Sequence, residues 1–301
     1  MFQEDPTSFG ADGHSLLTPV VTSQTNAAFS IKYDRTPDRY QQKYGTVGTA
    51  DKLISYLYTI FRNSQNSKLQ KYVDTLFALV FENERAVLKL LNHLKNLGSD
   101  YFAHHMRVAR NCAVIAHKLR LETGTTKNLL IAALAHDIGK LDLQHTLLLK
   151  KTQLTPHEFE RIKDHVHFSA RHLQLYNEIN NVNEICATIL AHHENYNGSG
   201  YPLGLSGQNI PVGARIIRII DVYDSLLSQR VYKYCYPHKL AIGIMNKMAK
   251  DCFDPAIYKI FTANIKLFQY INCDTITKAT RSLFTSNILS DRDKKLMRSS
   301  E

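Results

Sequence analysis

No tryptophan occurs anywhere in this 301-residue sequence, and cysteine is limited to five positions. Those five, Cys112, Cys186, Cys235, Cys252 and Cys273, are scattered with no CxxC pair. A disulfide framework and a cysteine-based zinc module are thereby excluded, and reduced thiols at core positions are expected. Also missing is any apolar run near the ~18–20 residues that a membrane span requires. The opening MFQEDPTSFG is acidic and polar where a secretory leader would be basic and then apolar, so a cytoplasmic location is expected. There is no run of five like charges, no zinc-finger spacing, no internal repeat and no low-complexity tract. Collagen-like and wholly disordered classes are excluded as well. With 44% hydrophobic and 21% charged residues, the chain suits one large core plus a smaller domain.

Two features are plentiful. Lys and Arg number 37 against 27 Asp and Glu, a net charge of +10 that permits an anionic partner without choosing one. With no charge run or finger motif, a nucleic acid duplex is not the expected partner. Histidine is the second: 14 are present, and 12 of them lie between His104 and His238.

Residues 1–48 are rich in Thr, Ser, Asp, Gly and Gln and predict loop or partial disorder. From Asp51 the periodicity turns helical, with one helix near residues 53–61 and a second over 69–96 that stops at Gly98. This 49–97 stretch is expected to be a regulatory or dimerising region. Further helices are predicted over 107–121, 128–138, 155–175, 183–193 and 211–229. Thr155-Pro156-His157-Glu158 supplies a capping box with proline at the first helical position. Residues 194–209 form a loop holding four of the 13 glycines, and residues 276–301 a polar tail. With no convincing pair of alternating strands, the fold class is all-α.

The residues with chemistry in them fall into groups. His136-Asp137 ends an apolar helix, where both side chains cost free energy to bury without partners. A metal ion supplies one, and Asp137 can bridge two ions; a buried histidine bonded to backbone is the alternative. His192-His193-Glu194 ends another helix. Neighbouring helical side chains diverge by about 100°, so the two rings suit two adjacent ions better than one, or else simply favour the helix dipole. His165, Asp221 and His104 complete the set. His105 is a second choice for the first position, and Asp100 stands one turn before His104. Nitrogen and oxygen donors without sulfur suit Fe, Mn, Zn or Ni, and paired ions suit phosphoryl chemistry. His117, His145, His157, His167, His172 and His238 are expected to be surface or structural, Glu194 to orient a ligating imidazole, and Asp224 to pair or cap locally.

In their order, the segments HHMRVAR (104–110), AHDIGKLD (135–142), LTPHEFERIKDHVHFSARHL (154–173), ILAHHENYNGSGYPLGLSGQNIP (189–211), ARIIRIIDVYDSLLSQRVYK (214–233) and FDP (253–255) resemble the HD-GYP family. That family is the cyclic-di-GMP phosphodiesterase branch of the HD metal-dependent phosphohydrolases. The resemblance implies a helical HD-type bundle over residues 98–275 with a smaller N-terminal helical region. It implies metal ligands at His104, His136, Asp137, His165, His192, His193 and Asp221, with Asp137 bridging. It implies that Lys140 holds and polarises the scissile phosphate, and that Gly200, Tyr201, Pro202, Arg230 and Lys233 contact the dinucleotide. Fe or Mn would be the metals: two ions, or three where a member has Glu at the position that is Asp100 here. A hydroxide bridging the ions would open cyclic-di-GMP to pGpG or, with a second cut, GMP. Asn195, Tyr196 and Asn197 replace the Arg, Trp and Asp common in the motif. That departure leaves two alternatives, a non-catalytic receptor or interaction module and a hydrolase of another cyclic dinucleotide.

Overall fold

The computed structural model describes residues 67–268 except 83, 84, 149, 151, 177 and 229–235. The expected 1–48 loop, the helix near residues 53–61, the 276–301 tail, Arg230, Lys233, Cys235 and Cys273 lie outside the described residues. Every regular element described is helical. Extended backbone pairs only at a single antiparallel bridge, Asn197 to Ser206, among the described residues.

Helices α1 (Ser67–Glu82) and α2 (Arg85–Lys95) bury Leu69, Val73, Leu76 and Val80, and Val87, Leu90, Leu91 and Leu94, at helical spacing. Both pack on α3 (Ser99–Leu119) and α4 (Thr123–Ala135). Helix α3 begins earlier than the periodicity suggests and stops at Arg120, whose left-handed backbone (φ 54°) returns its N–H to the Ala116 and His117 carbonyls. Helix α4 is sealed from Leu129 to Ala135. Burying one such Leu or Ile contributes about 1.5–3 kcal/mol, so α4 is the central rod against which the rest is placed.

Three predicted helices end differently, and each difference serves the site. Helix α4 stops at Ala135, not at 138, and gives way to a 3-10 turn, Ile138–Asp142. The Gly139 N–H, which a continuing helix would send back four residues, donates instead to Ser169 Oγ at 2.9 Å. The predicted 155–175 helix is two helices, α6 (Pro156–Lys163) and α7 (His165–Gln174), following the short α5 (His145–Leu148). At the junction the Ile162 carbonyl accepts from His165 Nδ1 at 2.7 Å. The break lets α7 sink His165, Val166, Ser169, Ala170, His172 and Leu173 while α6 buries nothing. The predicted capping box is present on α6: Thr155 Oγ1 accepts from the Glu158 N–H at 3.2 Å and Glu158 Oε2 from the Thr155 N–H at 2.7 Å. Helix α8 (Val182–Leu190) ends before His192 and His193, which occupy the turn after it.

Helix α9 (Val212–Leu227) lies along α3, and α7 and α8 pack on each other, with α7 against the 3-10 turn. Helices α10 (His238–Cys252) and α11 (Pro255–Ala263) close the described chain. Asp254 caps α11 by accepting from the Ala256 and Ile257 N–H groups and pairs with Arg215 at 2.6 Å. Cys112 and Cys186 are buried free thiols and Cys252 is half-buried, as expected of reduced core cysteines. No described helix is long and apolar enough to cross a membrane.

Candidate metal centre

Five elements deliver side chains to one buried place. Helix α3 brings His104 and His105, the end of α4 His136 and Asp137, the first residue of α7 His165, the turn after α8 His192 and His193, and α9 Asp221. Their close approach depends on Gly139. A Cβ there would sit 2.3 Å from the His165 carbonyl oxygen and 2.4 Å from the Ser169 nitrogen, both backbone atoms that cannot yield. The donor atoms of Asp137, His165, His192 and His193 all lie within 4.8 Å of one another. So do those of His104, His136 and Asp221, and those of His105, His136 and Asp137. All seven residues expected as ligands fall in the first two groups.

Hydrogen bonds fix which ring nitrogens are available. His105 Nδ1 donates to the Tyr101 carbonyl at 2.7 Å, His136 Nδ1 to Ala133 at 2.8 Å, His165 Nδ1 to Ile162 at 2.7 Å and His192 Nδ1 to Ile189 at 2.6 Å. A carbonyl only accepts, so in each neutral ring Nδ1 carries the proton and Nε2 presents a lone pair. Those of His165 and His192 face a carboxylate oxygen, which only accepts, while that of His136 faces His104. His104 Nε2 is 3.3 Å from His136 Nε2 and 3.3 Å from Asp221 Oδ1. His165 Nε2 is 3.1 Å and His192 Nε2 3.9 Å from Asp137 Oδ1. The Nε2 atoms of His105, His165 and His192 and Asp137 Oδ1 are buried with no hydrogen-bond partner. Each such group costs about 1–3 kcal/mol when left unsatisfied. Divalent cations among these lone pairs would satisfy them together, so the residues fit a metal centre.

The protonation states agree. Burial pushes the imidazoles of His105, His136, His192 and His193 down, that of His192 to about 3 with His136 and His165 adding repulsion. Burial would raise Asp137, but the Lys140 ammonium, His136 and His165 hold it well below the usual carboxylate range. Asp221, which burial would also raise, is held well below that range by His104. Neutral imidazoles and ionised carboxylates are the forms that bind metal. His104 differs: burial pushes it down, yet its bonds to Asp221 and Asp224 outweigh this and hold it above the ordinary value.

Two roles differ from expectation. Asp224 does more than pair or cap locally. Its Oδ2 accepts from His104 Nδ1 at 2.7 Å, and its carboxylate is gripped by Arg107 at 2.6 and 2.9 Å and by Ser228 at 3.0 Å. Asp224 therefore orients the first histidine, a carboxylate–histidine arrangement that fixes the tautomer and raises ring basicity. Its i,i+3 spacing from Asp221 was the available signal, but the partner Arg107 lies 117 residues away in sequence. Glu194 does not orient an imidazole. Its Oε1 accepts from the Leu203 N–H at 2.7 Å, tying down the loop.

That loop carries Gly200, Tyr201 and Pro202. A Cβ on Gly200 would lie 2.3 Å from the Asn195 nitrogen and 2.4 Å from Glu194 Cα. The Tyr201 ring stacks on His193 with centroids 4.8 Å apart, and Lys163 Nζ stands 5.3 Å above it. Asn197 Oδ1 accepts from the Ser199 N–H at 2.9 Å, and Asn195 Oδ1 from Arg218 at 2.8 Å, so two of the three departures from the common motif take part in holding the loop through their side chains. Lys140 Nζ donates to Asp137 Oδ2 and lies 5.6 Å from the Tyr101 ring centroid. Asp100 is exposed on the first turn of α3 and joins none of the three donor groups among the described residues. His172 is structural, with Nε2 2.8 Å from Asp142, while His117 and His157 are exposed.

Known proteins are similar to this chain in sequence. A family model described as "HD domain" matches residues 84–257. A probable cyclic di-GMP phosphodiesterase of Vibrio cholerae is 37% identical over 135 residues, 43% of this chain and 31% of that protein. A cyclic di-GMP phosphodiesterase of Thermotoga maritima is 30% identical over 67% of this chain and 58% of its own length. A 3'3'-cGAMP-specific phosphodiesterase of Vibrio cholerae is 32% identical over 53% of this chain and 34% of its own length. The chain spans less than two thirds of the length of these relatives. The match over more than half of its residues establishes that this chain belongs to the HD domain family, within which its HHENYNGSGYP segment carries the resemblance to the HD-GYP branch.

Proposed function

We propose that the chain is a metal-dependent phosphodiesterase that hydrolyses cyclic-di-GMP to pGpG, and to GMP if a second bond is cut. The observation that carries this reading is the convergence of the His165 and His192 Nε2 atoms on Asp137 Oδ1, buried groups with no hydrogen-bond partner that face one another, beside His104 Nε2 3.3 Å from Asp221. Asp137 lies between the two donor groups, with Oδ1 facing His165 and His192 and Oδ2 3.5 Å from His136. His165, His192 and His193 would hold one ion and His104, His136 and Asp221 a second, with Asp137 shared. Fe or Mn suits such a nitrogen and oxygen donor set. The ions would supply Lewis-acid activation of water and neutralise charge on the phosphate.

The chain's own groups do the rest. Lys140, anchored on Asp137, places its ammonium where negative charge grows on the phosphate in the transition state. Tyr201, stacked on His193, carries an aromatic surface for the dinucleotide up to the metal-facing ring. Gly200 and Pro202 set its position, and Arg230 and Lys233 provide further positive charge for the ligand. Residues 98–275 act as the catalytic unit, the 49–97 region regulates or dimerises it, and the protein works in the cytoplasm.

The chain also resembles 3'3'-cGAMP-specific phosphodiesterases, which favours a second reading on that mixed dinucleotide. Purified protein loaded with Mn²⁺ or Fe²⁺ separates the two when given each dinucleotide and its products are resolved by chromatography. A higher kcat/KM for cyclic-di-GMP supports the first reading. Preference for 3'3'-cGAMP replaces it, and tight binding without turnover reduces the protein to a receptor.

A further inference from the structure

His105 is the buried group that the proposed ligand set leaves unused. It is fully enclosed on α3, its Nδ1 proton is committed to the Tyr101 carbonyl at 2.7 Å, and its Nε2 has no hydrogen-bond partner. A ring nitrogen of His105 lies within 4.8 Å of the donor atoms of His136 and Asp137, and Nε2 is the one left free to ligate. A buried imidazole is normally turned so that both nitrogens are satisfied, and here one is left facing a carboxylate and another lone pair.

The donor groups constrain what this means. His136 takes part in two of them, one with His104 and Asp221 and one with His105 and Asp137. Its Nδ1 is occupied by the Ala133 carbonyl, so it has one nitrogen to offer and can serve one ion only. Both groups therefore describe the surroundings of a single cation. We infer that His105 is an additional protein donor to the ion held by His104, His136 and Asp221, with Asp137 as the shared carboxylate. The inference rests on the metal-centre reading above. It makes the two ions unequal. One has three imidazoles and the shared carboxylate, the other three imidazoles and two carboxylates. It also assigns His104 and His105 to the same ion, where the sequence presents them as alternatives for one position. Although neighbours on a helix diverge by about 100°, both rings turn toward His136, with centroids 5.3 and 4.7 Å from it and 5.4 Å from each other.

The test is a Mn²⁺ titration of metal-stripped full-length protein and His105→Leu, with bound ions counted by mass spectrometry and free Mn²⁺ by EPR. Leucine keeps an apolar side chain of related bulk and cannot ligate. The expected result is two ions on wild type, with one site in the variant weakened about 10-fold or more. Unloaded His105→Leu should melt at or above the unloaded wild type, because an unsatisfied polar atom has been removed from the interior. It should gain less on adding Mn²⁺. Unchanged affinity at both sites overturns the inference, as does a lower melting temperature of the unloaded variant, which would mark His105 as a packing residue. Failure of the wild type to bind any ion would overturn the metal centre itself.

Discussion

Residue by residue, the site depends on what each side chain is tied to on its far side. The ring tautomers are set by carbonyls of the preceding turn for His105, His136, His165 and His192, and by Asp224 for His104. Asp224→Asn should weaken metal binding by about 10–100-fold and, by stranding the buried Arg107 charge, lower the unloaded melting temperature. Calorimetric Mn²⁺ titration and thermal unfolding check both effects, and an unchanged affinity would remove Asp224 from the site. Gly200→Ala places a methyl carbon against backbone at 2.3 Å. Two bound ions should remain while hydrolysis falls at least about 10-fold through displaced Tyr201, which paired metal and rate assays separate. The residues that the structure gathers into donor groups were legible in the sequence as candidates because such chemistry admits few residue types. The Asp224–Arg107 pair was not, since 117 residues separate its members.

At the level of elements, the sequence located the helices that carry the site, left α5, α10 and α11 unpredicted, read α1 and α2 as one helix, and misplaced the ends that build the site. Periodicity reports which face is buried, and Thr155 to Glu158 announce a local cap, so α6 opened where expected. Nothing local reveals that the Gly139 N–H will prefer Ser169, or that the Ile162 carbonyl will take His165 Nδ1. The first comes from an element 30 residues away and accompanies the early end of α4; the second spans only three residues, but the choice of that side chain over the helical ladder at the α6–α7 junction is not signalled by periodicity. The cap of α6 gives a pH prediction. Lys150, 2.6 Å away, and the Thr155 N–H lower the Glu158 carboxyl from 4.5 to about 2. Its folded value lies below its unfolded one, so its contribution is present above about pH 4.5 and is lost as pH falls through about 2. The melting-temperature gap between unloaded wild type and Glu158→Gln should be steady near neutrality and shrink below about pH 4.5. A gap that stays constant down to pH 2 would show that the charge contributes nothing to the cap.

For the whole molecule, the helices serve to bring neutral imidazoles and ionised carboxylates from five elements into a sealed interior. The fold class was legible because nothing in the sequence alternates as a strand, and the described chain is helical throughout. Interior charge of this kind stabilises only when it is compensated. Metal at 100 times its Kd should therefore raise stability by about 2.7 kcal/mol for each site filled, measurable as a rise in melting temperature on adding Mn²⁺. The most direct measurement follows pGpG release from cyclic-di-GMP while Mn²⁺ is titrated into metal-stripped protein and bound metal is counted in the same samples. Release should be absent without metal, rise as occupancy reaches two ions, and vanish in Asp137→Asn. An intact dinucleotide at full two-ion occupancy would contradict the account.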